Sequence, residues 1–315
     1  MTDIEITKIT PERLGLNIPY EWFPTSPMLK EIEASGFGWV QVPAPPASVL
    51  GETRHCIAHA AAVRRSLETT GLRAVLHAPG TLLAGDAAGD RLFEATVSYA
   101  AESGCQLIVY HAMALPDEPG VRTRLAAEAA SLERFAELAE RLGIVIAVEN
   151  LAPLYPGRET VSTVPVTLRS LVAQIGSPAI RLCLDVGHAN VIAGLRRTDL
   201  RHLLLPVLDS VALFHVHDNL GARRLPPDPT SPFDPLRLDL HLPPGRGSLP
   251  WGEIAPMLRA HEAPLMLEVH PPHRPSPAEL ARLLAEALTP LTAGAPARLA
   301  STLHGEAEPS LIKER

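Results

Sequence analysis

Lysine is almost missing from this 315-residue chain: Lys8, Lys30 and Lys313 are the only three, and none of them closes an apolar run. A Schiff-base mechanism needs a desolvated amine among core residues, so it has no candidate here. Cysteine is nearly as scarce. Cys56, Cys105 and Cys183 form no C-x-x-C pair, and two of them sit in apolar runs, as buried thiols of a reducing compartment do. Aromatic residues make up only 4% of the chain, and 28 lysines and arginines face 35 carboxylates, for a net charge of −7. Little is left with which to neutralise phosphates or stack on bases, so nucleic acid is not the expected partner. No stretch of about 18 apolar residues occurs, and MTDIEITKIT lacks the basic-then-apolar order of a leader. The sequence therefore predicts a cytoplasmic protein with no membrane partner, and it leaves open whether the chain forms a homo-oligomer.

What the chain does have is a series of short β-rich runs separated by longer amphipathic stretches, the pattern of parallel strands joined by helical crossovers. Strands are expected near 13–19, 38–44, 73–78, 106–112, 144–150, 180–187, 211–218 and 264–270. Eight such pairs predict a single-domain (βα)8 TIM barrel over residues 10–291, followed by a tail, 292–315, with no convincing apolar face. The clearest helix is 121–143, where Leu125, Ala129, Leu132, Phe135, Leu138 and Leu142 recur at three- and four-residue steps before Gly143. The long connection 219–249, rich in proline, arginine and aspartate, has the length of a lid or binding loop.

Six of the strands end in a side chain that can bind a metal: His77, His111, Glu149, Asp185, His215 and Glu268, with Asp239 and His241 as D-L-H in a loop. Alternate residues of a strand share a face, so these groups can converge at one end of a barrel. A lone carboxylate at a strand end often just leaves the core for solvent, and a lone histidine is usually a satisfied hydrogen-bonding group. Several in series are harder to explain without a cation. His215 and His217 have the same parity, and at least one of them should enter the mouth. In D-V-G-H, Gly187 is expected to give the sharp turn that lets Asp185 and His188 face one site. Donors of this kind, without thiolate, suit manganese, zinc, cobalt or iron(II). His55, His59, His202, His261 and His304 read as ordinary packing or surface groups, while His270 and His273 fit neither description clearly. Arg246 between two glycines is a candidate for binding a substrate phosphate, against the simpler reading of a turn. Tyr20 and Trp22 are candidates for a wall of the mouth.

The segments HAP at 77–79, VEN at 148–150, LDVGH at 184–188, HVHDN at 215–219 and HLPPGRGSLPW at 241–251 resemble, in order, the xylose isomerase-like barrel superfamily. The resemblance covers roughly residues 10–291 and includes two branches. Likeness to the sugar isomerases and epimerases implies one divalent ion on Glu149, Asp185, His215 and Glu268. It further implies a substrate contact from His188 and a metal-stabilised enediolate in which Glu149 and Glu268 act as acid and base; His217 and Arg246 are substrate-binding candidates apart from the resemblance. Likeness to the endonuclease IV family implies up to three ions, with His77, His111, His188, Asp239 and His241 added to the ligand set, and phosphodiester cleavage. The first branch fits an acidic chain better and implies a small sugar, polyol or hydroxy-ketone as substrate. A barrel that keeps metal only for stability or ligand binding is the non-catalytic alternative.

Overall fold

The computed structural model describes residues 10–114, 119–153, 159–224 and 237–289. Its eight strands are β1 (Leu14–Asn17), β2 (Trp39–Pro43), β3 (Arg73–His77), β4 (Cys105–His111), β5 (Val145–Glu149), β6 (Ile180–Asp185), β7 (Val211–Val216) and β8 (Leu265–Leu267). All neighbours are parallel, and β1 pairs with β8, so the sheet closes into a barrel. Seven strands fall within their expected spans, and β4 begins one residue early. The helices are α1 (Ser26–Ala34), α2 (Ala47–Leu50), α3 (Thr53–Leu67), α4 (Ala87–Ser103), α5 (Val121–Leu142), α6 (Pro165–Ile175), α7 (Val186–Arg196), α8 (Arg201–Leu204), α9 (Trp251–Ala260) and α10 (Pro277–Leu288). None of the described helices is long and apolar enough to cross a membrane.

Two apolar layers result from the period of two along each strand. Outward residues such as Val40, Leu76, Ile108, Ile146 and Phe214 join the helices in the main core, where Leu132 and Phe135 of α5 pack as their spacing predicts. Gly143 ends α5 in the left-handed region at φ 67°. Inward residues Trp39, Val75, Leu107, Val109, Ala147, Cys183, Leu213 and Met266 fill the lower barrel. A Cβ on Gly15 would come within 2.6 Å of the Met266 side chain, so β1 yields its space to β8.

Two residues further along the same strands, the inward positions change from apolar to polar: Gln41, His77, His111, Glu149, Asp185 and His215, with Glu268 one residue past β8. Register places them side by side, His111 opposite Glu149 and Asp185 opposite His215. Of the long connection, 225–236 lies outside the described residues, so its expectation as a lid is not addressed. The tail expected at 292–315 also lies outside them, together with His304.

Candidate metal centre

The carboxyl end of the barrel opens into a cavity of about 800 Å³, with Tyr20, His77, His111, Glu149, His188, Asp239, His241 and Glu268 in its wall. Directly beneath are Asp185 and His215, each fully buried. The histidines are oriented from behind. His188 Nδ1 lies 2.8 Å from the carbonyl of Asn150, and His241 Nδ1 lies 3.0 Å from that of Glu268. Gln41 donates its amide to Glu268 Oε1, which turns its carbonyl to His215 Nε2 at 2.8 Å. A carbonyl only accepts, so these nitrogens carry the proton and the opposite nitrogen of each ring presents a lone pair.

Every one of those lone pairs faces a carboxylate. His215 Nδ1 is 3.0 Å from Glu149, 3.3 Å from Glu268 and 3.8 Å from Asp185. His241 Nε2 and His188 Nε2 are 2.9 Å and 3.5 Å from Asp239. His111 and His77 approach the other Glu149 oxygen at 3.1 Å and 3.7 Å. A lone pair against an anion is repulsive unless a cation lies between them. With only protons available, burial works against imidazolium, but the carboxylates of Asp185 and Asp239 hold the His188 pKa well above its ordinary range. Burial likewise opposes the Glu149 and Asp239 carboxylates, yet the facing histidines keep both well below theirs. A divalent ion in place of these shared protons would satisfy both sides.

The atoms left over mark where such ions fit. Glu149 Oε2, Asp185 Oδ2, Asp239 Oδ1 and His217 Nε2 are buried and have no hydrogen-bond partner. Unpaired buried carboxylate oxygens are costly, and a cation beside them would remove that cost. Donor atoms within 4.8 Å of one another fall into groups, two of which share Glu149: Glu149, Asp185, His215 and Glu268; His77, His111 and Glu149; and, separately, His188, His217, Asp239 and His241. Cys183 joins Glu149 and His215 in another, one layer lower on β6, where burial pushes its thiol up to about 12.

The candidates from the sequence separate clearly. His77, His111, Glu149, Asp185, His188, His215, Asp239, His241 and Glu268 are all brought together. His217 also points to the centre but is fully buried and absent from the cavity wall, so it is not placed to touch a substrate. Arg246 is exposed and outside the cavity. Its turn is instead folded round Asp218, whose carboxylate accepts from Gly245 N, Leu249 N and the Trp251 indole at 3.0 Å each. Gly247 is needed because a Cβ there would lie 2.2 Å from Asp218. Gly187 has no turning role either: it lies within α7, and a Cβ would lie 2.2 Å from the His217 ring. Asp185 caps that helix by accepting from His188 N. Asp239 and His241 are not carried by an extended segment, since His241 adopts φ 48°.

Sequence reasoning assigned no role to Gln41, Asn150, Arg237 or His270. Asn150 clasps the backbone of Asp185 through both amide atoms. Arg237 is the only lysine or arginine among the described wall residues, and His270 stacks on His241 at 4.6 Å. A lone Gln of inward parity in W-V-Q-V-P was the one available signal. Tyr20 lines the wall with its hydroxyl 2.6 Å from His77, whereas Trp22 does not reach it. His55, His59, His202 and His261 find ordinary partners: Glu52, Tyr99, Thr198 and the Leu208 carbonyl.

The profile of the xylose isomerase-like TIM barrel family matches residues 29–289. This chain belongs to that family. Among solved structures, a D-tagatose 3-epimerase-like protein shares 19% identity at TM-score 0.65, over 88% of this chain and 97% of its own. The 3-keto-D-glucoside 4-epimerase of E. coli shares 16% at TM-score 0.64, over 87% and 98%. A Thermus thermophilus protein, studied after soaking with ZnCl2, shares 21% at TM-score 0.60, over 88% and 97%. No curated protein sequence matches significantly. At these identities the likenesses establish the fold of this family member, and the centre must be read from its own residues.

Proposed function

We propose that this family member is a divalent-metal-dependent isomerase or epimerase of a small sugar, polyol or hydroxy-ketone. One observation carries the reading. Of the four residues Glu149, Asp185, His215 and Glu268, only the two glutamates also line the cavity. Asp185 and His215 are donors from below, while Glu149 and Glu268 can meet both an ion and a substrate carbon. Two carboxylates converging on one cavity are what proton removal and return require. Gln41 fixes the Glu268 carboxylate by a hydrogen bond, and the Glu149 carboxylate lies between His111 and His215 at 3.1 Å and 3.0 Å. When bound, manganese, zinc or cobalt would polarise a carbonyl and neighbouring hydroxyl, lowering the cost of an enediolate. A cavity of about 800 Å³ walled by Pro19, Leu151, Pro153, Pro271 and Pro272 suits a small molecule. The epimerases among the structural neighbours agree with this reading.

Solvent deuterium incorporation, followed by NMR across keto sugars and hydroxy-ketones with each metal, tests it. Exchange into at least one compound is expected, lost in Glu149→Gln and in Glu268→Gln. Undiminished exchange in both variants overturns the assigned roles.

A second reading, a multinuclear phosphodiesterase, is favoured by one fact: Glu149 is shared with His77 and His111, and a further group lies alongside. Incision of an abasic-site duplex with zinc or manganese would support it, and no incision with either removes it. Metal-dependent melting without turnover on either panel returns the non-catalytic barrel.

A further inference from the structure

Away from the barrel mouth, α5, α6 and the residues that follow β4 enclose a cavity of about 320 Å³. Its wall is largely apolar, built from Met113, Leu125, Ala129, Val161, Leu168 and Leu171, and its size lies at the lower end of the range that holds small molecules. One carboxyl group stands among the described wall residues: that of Glu128, which is fully buried.

The two oxygens of Glu128 are used differently. Oε1 accepts from the Tyr110 hydroxyl at 2.7 Å and from Met113 N at 3.0 Å, whereas Oε2 is buried and has no hydrogen-bond partner. Among the described residues Arg124 is the one cation whose charge reaches this carboxyl, with less effect on it than either hydrogen bond. Arg122 stands exposed in the same wall and leaves Oε2 unpaired. A buried carboxylate oxygen with neither a donor nor a cation is costly, and burial raises the Glu128 pKa for the same reason. A donor brought from outside removes that cost, most fully when it carries positive charge, because charge-assisted hydrogen bonds are the strong ones.

We propose that this cavity is a second ligand site, which takes a small primary amine in its ammonium form, the nitrogen on Glu128 Oε2 and the apolar body against Leu125, Leu168 and Leu171. The inference rests neither on the metal centre nor on the reaction proposed there. The wall itself selects this chemistry. A hydrocarbon would leave Oε2 unpaired, an anion would meet the Glu128 carboxylate, and a polyol would find few partners beyond it. Ala112 and Met113 belong to the wall and directly follow His111, so an occupant packs against the chain that leaves the metal-facing end of β4.

Titration of the whole protein as purified with benzylamine, followed by ligand-observed NMR, tests the proposal. Saturable binding is expected, weakened by about tenfold or more in Glu128→Gln, which keeps an acceptor for Tyr110 and Met113 N but carries no charge. Benzyl alcohol, with the same ring and a neutral donor, should bind the wild type weaker than the amine by about tenfold or more. Ala126→Phe narrows the cavity from an exposed position of α5, leaves Glu128 in place, and should also weaken binding of the amine. Glu149→Gln should bind benzylamine as the wild type does. No binding to the wild type, full affinity in either Glu128→Gln or Ala126→Phe, or an alcohol that binds as tightly as the amine overturns the site. Loss of binding in Glu149→Gln also overturns it, since the amine would then belong to the acidic mouth.

Discussion

The lower and upper halves of the barrel interior are built by the same strands, one step apart. Val75 precedes His77, Val109 precedes His111, Ala147 precedes Glu149, Cys183 precedes Asp185, Leu213 precedes His215 and Met266 precedes Glu268. Below, every group is content without water. Above, donors are orphaned and lone pairs face anions. A shared backbone can thus pair a layer that supports folding with a layer that leaves buried polar atoms without partners, and substitutions in the two should have different consequences.

The strongest response should come from the upper layer. Glu149→Gln should lower isomerase activity by about 10²-fold or more, since acid–base groups of this kind contribute that much. Because Glu149 serves more than one group, metal per chain should also fall, measured by elemental mass spectrometry. Stripped of metal, the variant should also melt lower than stripped wild type, because His111 and His215 lose the carboxylate they face. Unchanged metal per chain in the variant would erase the contrast between layers. In the lower layer only stability should fall: Leu213→Ala should cost about 2–5 kcal/mol in denaturant titration, with metal per folded chain unchanged.

How much of this was legible follows from what one strand can encode. Parity and strand ends are local, so the closed barrel and the nine metal-binding candidates could be read from the sequence, residue type by residue type. Roles that depend on distant packing could not. Gln41 meets Glu268 from 227 positions away, and its inward parity in W-V-Q-V-P does not name that partner. G-R-G near the mouth looked suited to an anion, but its second glycine, Gly247, makes room for Asp218. D-V-G-H looked like a turn, but its glycine makes room for His217. In both motifs the glycine is explained by a side chain elsewhere in the sequence.

A more modest response is expected outside the barrel. Glu128 is a buried carboxylate like those of the mouth, yet it accepts from the Tyr110 hydroxyl at 2.7 Å and Met113 N at 3.0 Å, and no histidine among the described residues pairs with it. Burial therefore raises its pKa above the ordinary 4.5, with those two hydrogen bonds offsetting only part. The folded chain then holds this proton more tightly than the unfolded one. Its contribution is most favourable below about pH 4.5 and becomes a cost as the pH rises through the folded value. Glu128→Gln keeps the acceptor and cannot ionise, so thermal melts should show wild type losing stability relative to the variant as pH climbs from about 4 to about 7. Parallel Tm curves would show that burial does not control this group.

The weakest response is expected at the turn. Arg246→Gln should leave kcat/KM within about twofold for any substrate, neutral or anionic, because the side chain lies outside the cavity. A selective loss on phosphorylated substrates would mean that the turn reaches the mouth after all.

The four carboxylates at the centre, Glu149, Asp185, Asp239 and Glu268, are matched in charge by two divalent ions and outnumbered by three. On the proposed reading, loading the centre would exchange the protons held by facing histidines such as His188 for ions, so metal uptake would release protons and weaken as the medium becomes acidic.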